Sequence, residues 1–588
     1  MSLKHTVNLL NKHADKIFIG LMGVFSFWLM FSTFGYSQGN FVIDSKLYSD
    51  FGAHLPLIRS FSFGGNFPHP EYPFFHGEPI RYHYLFYLIV GWAERLGLNL
   101  ALALNLFSAL GFWLLLVMIY KLSKLFFKRT GAGLLAVYLF LFNGSFSWVE
   151  YFNQHGFSWQ SLFDIVNQVQ FASFGPWSGR LISAFWSLNI YTNQRHLGLS
   201  YGLLLWLIYL VAKTVNFSQL KHLFKWRQQP QRQSLKTLTP LPFWQQLAVV
   251  VVLALFPLLH QAGYVMFGLF FIFWLLIYSF YYWQYKKQVL RYFWPFLIGG
   301  ILSLVVFSQF TTGSGQEVVK VFGYLSPDKS LLGVLKYWWF NLGLYLLLIP
   351  VLLFWSIKRK NFLLVIFSSY FVIANLVRLS PDMINNHKLV TMFMIGVNIF
   401  TAGFIFRLGN LNLWAGKKNS PLTKLFRFVL LAVLVFFLSF GGWVDIWPII
   451  NDYSGKVPDY PKNPAIMMML TYTPPRAQVL TNTYLYNPAS LAGRQLYLDY
   501  GYFAWSMGYN DRDKRDDLKK LFATFTTKKR WCKLAKKHEI DFVLLDPSLA
   551  SLEDGRVKVK PSWLVRKNEP TRVSQNGWML WDVAQICR

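Results

Sequence analysis

Apolar runs about 20 residues long recur along three quarters of this chain, and nothing else in the sequence constrains its fold as strongly. A run of that length is what a helix needs to cross a bilayer. The runs fall at residues 17–34, 98–120, 131–146, 198–212, 247–259, 265–282, 293–310, 337–357, 361–377, 389–406 and 428–446. They predict a polytopic α-helical membrane protein of about 11 spans. Only 14% of the residues are charged, against roughly 25% in soluble domains, which excludes an ordinary soluble enzyme. A shorter apolar piece, residues 84–96, is interrupted by Glu94 and Arg95. It reads as a helix lying on the membrane face.

The formal net charge is +31, which raises nucleic acid as a partner. The distribution argues against it. The Lys and Arg residues sit in short clusters between apolar runs, as the positive-inside rule requires of cytoplasmic loops. They can also hold anionic lipid headgroups. One choice of orientation makes every inner loop basic, and places every cluster of acids and histidines outside. It predicts a cytoplasmic-membrane protein with an inside N-terminus. The basic start before the first run reads as the flank of an uncleaved first helix, not a signal peptide.

From about residue 448 the long apolar runs stop. Short alternating stretches at residues 478–482, 541–545 and 578–583 read as strands, and 513–525 and 528–538 as helices. The expectation is a membrane domain over residues 1–447 and a small mixed α/β domain over 448–588, outside. Its two cysteines, Cys532 and Cys587, are compatible with one disulfide or with two free thiols.

Chemistry concentrates in the first outer loop, residues 36–83. It carries Asp44, Asp50, His54, Arg59, His69, Glu71, His76, Glu78, Arg81 and His83 among prolines and glycines. Such groups are costly beside a bilayer unless used or paired. Asp50 and His54 are four apart, one face of a helix. A carboxylate there can take a proton from a hydroxyl, with the imidazole orienting it or sharing a metal. Asp44 can do the same, or simply cap a helix. Arg59, Arg81, Arg195, Arg378 and Lys388 lie near the outer surface, where they can hold a phosphate, a headgroup or an internal carboxylate. The turn SPDMINNHKLV places Asp382, Asn385, Asn386, His387 and Lys388 between two spans. That is more hydrogen-bonding side chain than a reversal needs, and it reads as a wall of the site. His260 with Gln261, and Asn193 to His196, read equally well as satisfied helix ends. Trp177 and Trp186 could stack on sugars. Acid–histidine sets of this kind could bind Mg²⁺ or Mn²⁺, though no spacing asserts a metal.

Two stretches carry a resemblance. DSKLY followed by GEPIRYHYLFYLIVGW resembles the first loop of the GT-C glycosyltransferases, in the branch of protein mannosyltransferases and aminoarabinose transferases. Asp44-Ser45 stands where that branch has an acidic pair. SDFGAHLPLIRSF resembles bacterial and archaeal relatives with an Asp and a His four apart. VLTNTYLYNPASLAGRQLYLDYGYFAWSMGY and HEIDFVLLD are similar to the C-terminal region of those relatives. There, Gly493, Arg494 and Trp505 would belong to a structural or acceptor-facing element. The resemblance implies a sugar donor linked to polyprenyl phosphate and a catalytic first-loop aspartate. The acceptor would be a hydroxyl on a glycan, lipid or protein, and the transfer inverting. Asp50, Asp44 and His54 are then the catalytic candidates. Arg59, Arg81, His83, Arg378, Asp382, Asn386, His387 and Lys388 would bind substrate. A transporter for lipid-linked sugars is the competing class. It would be expected to carry mid-span ionisable residues and an internal repeat, and the sequence shows neither. A non-catalytic assembly protein is the third.

Overall fold

The structure is a computed structural model. It describes residues 3–174, 182–213, 240–282, 286–310, 318–359, 361–409, 421–481, 485–498, 500–523, 526–547, 564 and 568–588. Trp177, Arg180 and nearly all of the basic segment 213–236 lie outside them.

Each predicted span overlaps helix, although in the run at 131–146 the helix ends at Leu141. Among the described residues, six helices are long and apolar enough to cross a membrane: His13–Thr33, Leu100–Phe127, His196–Lys213, Leu290–Phe310, Met383–Gly409 and Pro421–Ile450. Thr130–Leu141, Phe243–Leu259, Gln261–Leu276 and Leu363–Leu376 are shorter apolar helices. The run at 337–357 is not one straight helix. Leu331–Leu342 and Tyr345–Lys358 meet at a 94° bend. Gly343 makes the break at φ +57, a conformation glycine adopts without steric cost. These helices make a multi-pass membrane protein.

The bundle's tightest seam fixes one side of the candidate site. Asn99 caps Leu100–Phe127 by accepting from the amides of Ala101 and Leu102. That helix packs against His196–Lys213 through facing glycines. A Cβ on Gly111 would stand 2.6 Å from the Leu199 nitrogen, and one on Gly198 2.8 Å from that of Phe112. Only small residues let two backbones approach so closely. The seam holds the first turn of His196–Lys213 against the first loop.

The first loop is built jointly with the C-terminal region. Strands Phe34–Ser37 and Asn40–Asp44 form a hairpin. Its Gln38-Gly39 turn has φ values of 48° and 75°, the doubly positive geometry that suits tight hairpins. Ser454–Pro458 adds a third, antiparallel strand, with Asp44 opposite Ser454. A short 3₁₀ turn then leads into the helix Tyr48–Ser62, and Leu85–Arg95 follows the proline-rich stretch. That stretch leans on the C-terminal sheet: the Leu496 amide donates to the Pro73 carbonyl and the His76 amide to that of Leu496. Tyr72 stacks on Tyr509.

The C-terminal region is the expected mixture of strand and helix. Its sheet runs Gln495–Leu496, Gln478–Thr481, Phe542–Leu545, Met579–Asp582, Arg572–Val573, parallel across the first three and antiparallel beyond. Arg512–Leu521 and Lys528–Lys537 supply the helices. Cys532 and Cys587 are joined in a disulfide, which resolves the open alternative. Cys532→Ser should lower the stability of the purified protein by about 2–4 kcal/mol, read as a lower Tm that reductant reproduces in the wild type.

Candidate functional site

Asp50 lies in the first turn of Tyr48–Ser62 and keeps part of its surface open. Burial pushes its carboxyl up to about 6, and the Lys388 ammonium pulls against that rise. Asp50 and Lys388 stand far apart in sequence but within electrostatic reach of one another. Lys388 begins the second residue of His387–Gly409, is itself buried, and lies 5.5 Å from the centre of the Tyr82 ring. Tyr82 also senses Asp50, which together with burial holds its hydroxyl protonated. Tyr486 and Tyr502 feel the same carboxylate. A carboxylate poised between forms, a buried cation and several phenols therefore share one space.

His54 follows Asp50 by one helical turn but points into the interior. It is buried, its Nδ1 has no partner among the described residues, and its ring packs 4.9 Å from that of Tyr87. Burial, then the nearby Arg195 charge, push the imidazole down to about 3, so it is neutral at any working pH. Asp44 closes the hairpin strand. Its side chain does not cap the following turn, and its Oδ1 instead accepts from Ser454 Oγ at 2.6 Å. Burial raises it to about 6. Arg195 is wholly inside: it donates to the Met30 carbonyl and to Thr33 and Asn105, and it senses Asp44.

The remaining predicted residues divide. Lys388 and His83 adjoin the Asp50 space through Tyr82, and Asp382 does so through Tyr502. Asp382 caps its turn through the Ile384 amide and accepts from the Tyr502 hydroxyl at 3.0 Å. His387 is buried with Nδ1 on the Ile384 carbonyl. Arg378 sits half-buried on a two-residue strand opposite Val319. Asn386 is spent on the backbone, donating to the carbonyls of Ala374 and Val377. Arg81 donates to the Gly508 carbonyl, pairs with Glu78 and stacks over Tyr509, so it ties the loop to the C-terminal region.

Arg59 requires a correction. It is 1% exposed and pairs with Glu94 at 3.1 Å and Asp459 at 2.9 Å, which leaves no face for a phosphate. It clamps three segments together. Arg59→Met strands two buried carboxylates, and should cost about 3–5 kcal/mol, measured as a fall in Tm in detergent. Arg494 is likewise structural, donating to Thr473 and to the Ala492 carbonyl. Trp505 is about half exposed, with its ring 5.8 Å from that of Tyr502.

The histidines at the helix ends gather beside Tyr82. His83, His196 and His260 are buried, with one nitrogen of each within 4.8 Å of the others. Burial, then the adjacent His196, keep His83 well below the usual imidazole range. Tyr87, absent from the sequence reading, approaches His196 Nδ1 at 3.0 Å. Helix boundaries were the available signal: His196 starts one helix and His260 ends another.

No family model matches the chain, and no curated protein matches it. Solved structures do. The archaeal oligosaccharyltransferase AglB from Archaeoglobus fulgidus, in complex with an inhibitory peptide and a dolichol-phosphate, is 12% identical at a TM-score of 0.42, over 92% of this chain and 70% of its own. The Archaeoglobus fulgidus oligosaccharyltransferase tethered with an acceptor peptide is 14% identical at 0.43, over the same shares of 92% and 70%. The arabinofuranosyltransferase AftD from Mycobacteria is 12% identical at 0.35, over 97% of this chain and 40% of its own.

Proposed function

We propose that the protein is a membrane glycosyltransferase that moves a sugar from a polyprenyl-phosphate donor to an acceptor hydroxyl outside the cytoplasmic membrane. The observation that carries the reading is that Asp50, a carboxylate of raised affinity for protons, lies within electrostatic reach of the buried Lys388 ammonium. The two groups suit the two ends of one displacement. The acceptor oxygen attacks the anomeric carbon and gives its proton to Asp50. The bond from that carbon to the phosphate oxygen breaks, its electron pair leaves with the lipid phosphate, and Lys388 stabilises that charge. Attack from the face opposite the leaving group inverts the centre. Asp44 is the second candidate base. Arg378, Asp382 and His387 bound the donor side, and the exposed rings of Tyr502 and Trp505 offer a face to the acceptor.

The disulfide in the C-terminal region supports its placement outside, since structural disulfides belong to oxidising compartments. The test is transfer in membranes supplied with radiolabelled polyprenyl-phosphate sugars and an envelope extract as acceptor. Label should leave the lipid and appear in the acceptor fraction only when the protein is present. Label that crosses the membrane while still on its lipid would replace this reading with transport.

A further inference from the structure

His83, His196 and His260 come from three separate segments: the approach to Leu85–Arg95, the start of His196–Lys213, and the junction between Phe243–Leu259 and Gln261–Tyr282. They are 3%, 0% and 0% exposed, so each has lost its water. The Nε2 atoms of His83 and His196 stand 2.7 Å apart. His260 Nε2 has no partner among the described residues, although it is fully enclosed. The group contains no carboxylate, so ion pairing does not explain it. Enclosing His260 Nε2 without a partner is costly unless something binds it.

We propose that these three histidines form a binding site for a divalent transition cation of the zinc class. Three imidazoles offer nitrogen alone, which suits Zn²⁺ or Co²⁺ and not Mg²⁺, whose ligands are oxygens. Three protein ligands leave a fourth position for water or a substrate oxygen. Tyr87, at His196 Nδ1, is the outer partner that fixes the ring of a ligating histidine. His260 Nδ1 accepts from the Gly263 amide at 2.9 Å, which places its proton on Nε2. For Nε2 to ligate, that proton passes to Nδ1 and the ring tilts off the Gly263 amide as the cation enters. Tyr82 links the trio to the Asp50 space. Its ring is 3.5 Å from that of His83 and 6.0 Å from that of His196, and Lys388 lies over it. An anionic oxygen on the fourth position would therefore find a second positive charge beside it. The trio's geometry carries this proposal whether or not the protein transfers sugar.

The test uses the full-length protein in detergent, purified through a tag without histidine and stripped with chelator. After exposure to Zn²⁺ and dialysis, elemental analysis should find one equivalent, not displaced by Mg²⁺. The Co²⁺ form should show the visible bands of a tetrahedral nitrogen site. His196→Ala and His260→Ala should each weaken Zn²⁺ binding by more than about 100-fold, beyond the loss of an outer-shell partner. His69→Ala, exposed in the first loop, should retain it. Equal metal in the wild type and in the His196→Ala/His260→Ala double variant overturns the proposal. If those variants fail to fold, the wild type decides alone. A Tm raised by Zn²⁺ together with the Co²⁺ bands upholds the site, and the absence of both overturns it.

Discussion

Asp50→Asn is expected to lower the rate of sugar transfer by about 10²–10⁴-fold, the range for removing a general base. Asparagine keeps the shape and most of the polarity but cannot take the proton. Donor retention on the protein, read by binding of the labelled lipid, should change little. The pH profile gives an independent check. Burial raises the Asp50 carboxyl to about 6, so the base is protonated and idle below that value. In the wild type kcat/KM should rise with pH and reach half its plateau near pH 6. Asp50→Asn should flatten that limb. An unaltered rate would transfer the role to Asp44, whose carboxyl is raised similarly.

Lys388→Met is expected to cost about 10²–10³-fold in kcat, the effect of removing one preorganised group facing a developing negative charge. Methionine fills a similar volume, so the wall of the site should keep its packing. The direction of a second effect follows from the charge balance. Lys388 pulls the Asp50 carboxyl down against burial. Without it the carboxyl rises further above 6, and the acid limb of the rate profile should move to higher pH. A residue that only packed would slow transfer without moving that limb. An unchanged rate and an unmoved limb would remove Lys388 from the mechanism.

Much of this architecture can be read from the sequence because its determinants are local. Twenty-residue apolar windows and short alternating stretches are self-contained signals, and helices and strands appear where they fall. Most of what the sequence hides depends on a partner remote in sequence. Arg59 looked available for phosphate because Glu94 and Asp459 lie on other segments. The window at 337–357 averaged over Gly343 and missed a right-angled break. Asp50 and His54 were correctly placed on one helix, yet only the fold shows that His54 turns inward toward Tyr87. The histidine trio follows no motif, since its spacings are 113 and 64 residues. Lys388 and Asp50 were each recognisable in their own polar segments, but their nearness to one another was not.

The strand that pairs with Asp44 has a consequence for biogenesis. Ser454, which takes that carboxylate, is 410 residues downstream. Ribosomes add about 5–20 residues per second, so roughly 20–80 seconds separate the synthesis of the two halves of the sheet. Throughout that interval the nascent hairpin has one open edge at the membrane surface, a template for pairing with other chains. It is closed only once the last long helix has been threaded. The order of events makes reactive geometry the final product of insertion: a chain stalled or cleaved before residue 454 would hold every earlier helix yet leave its first-loop aspartates unassembled.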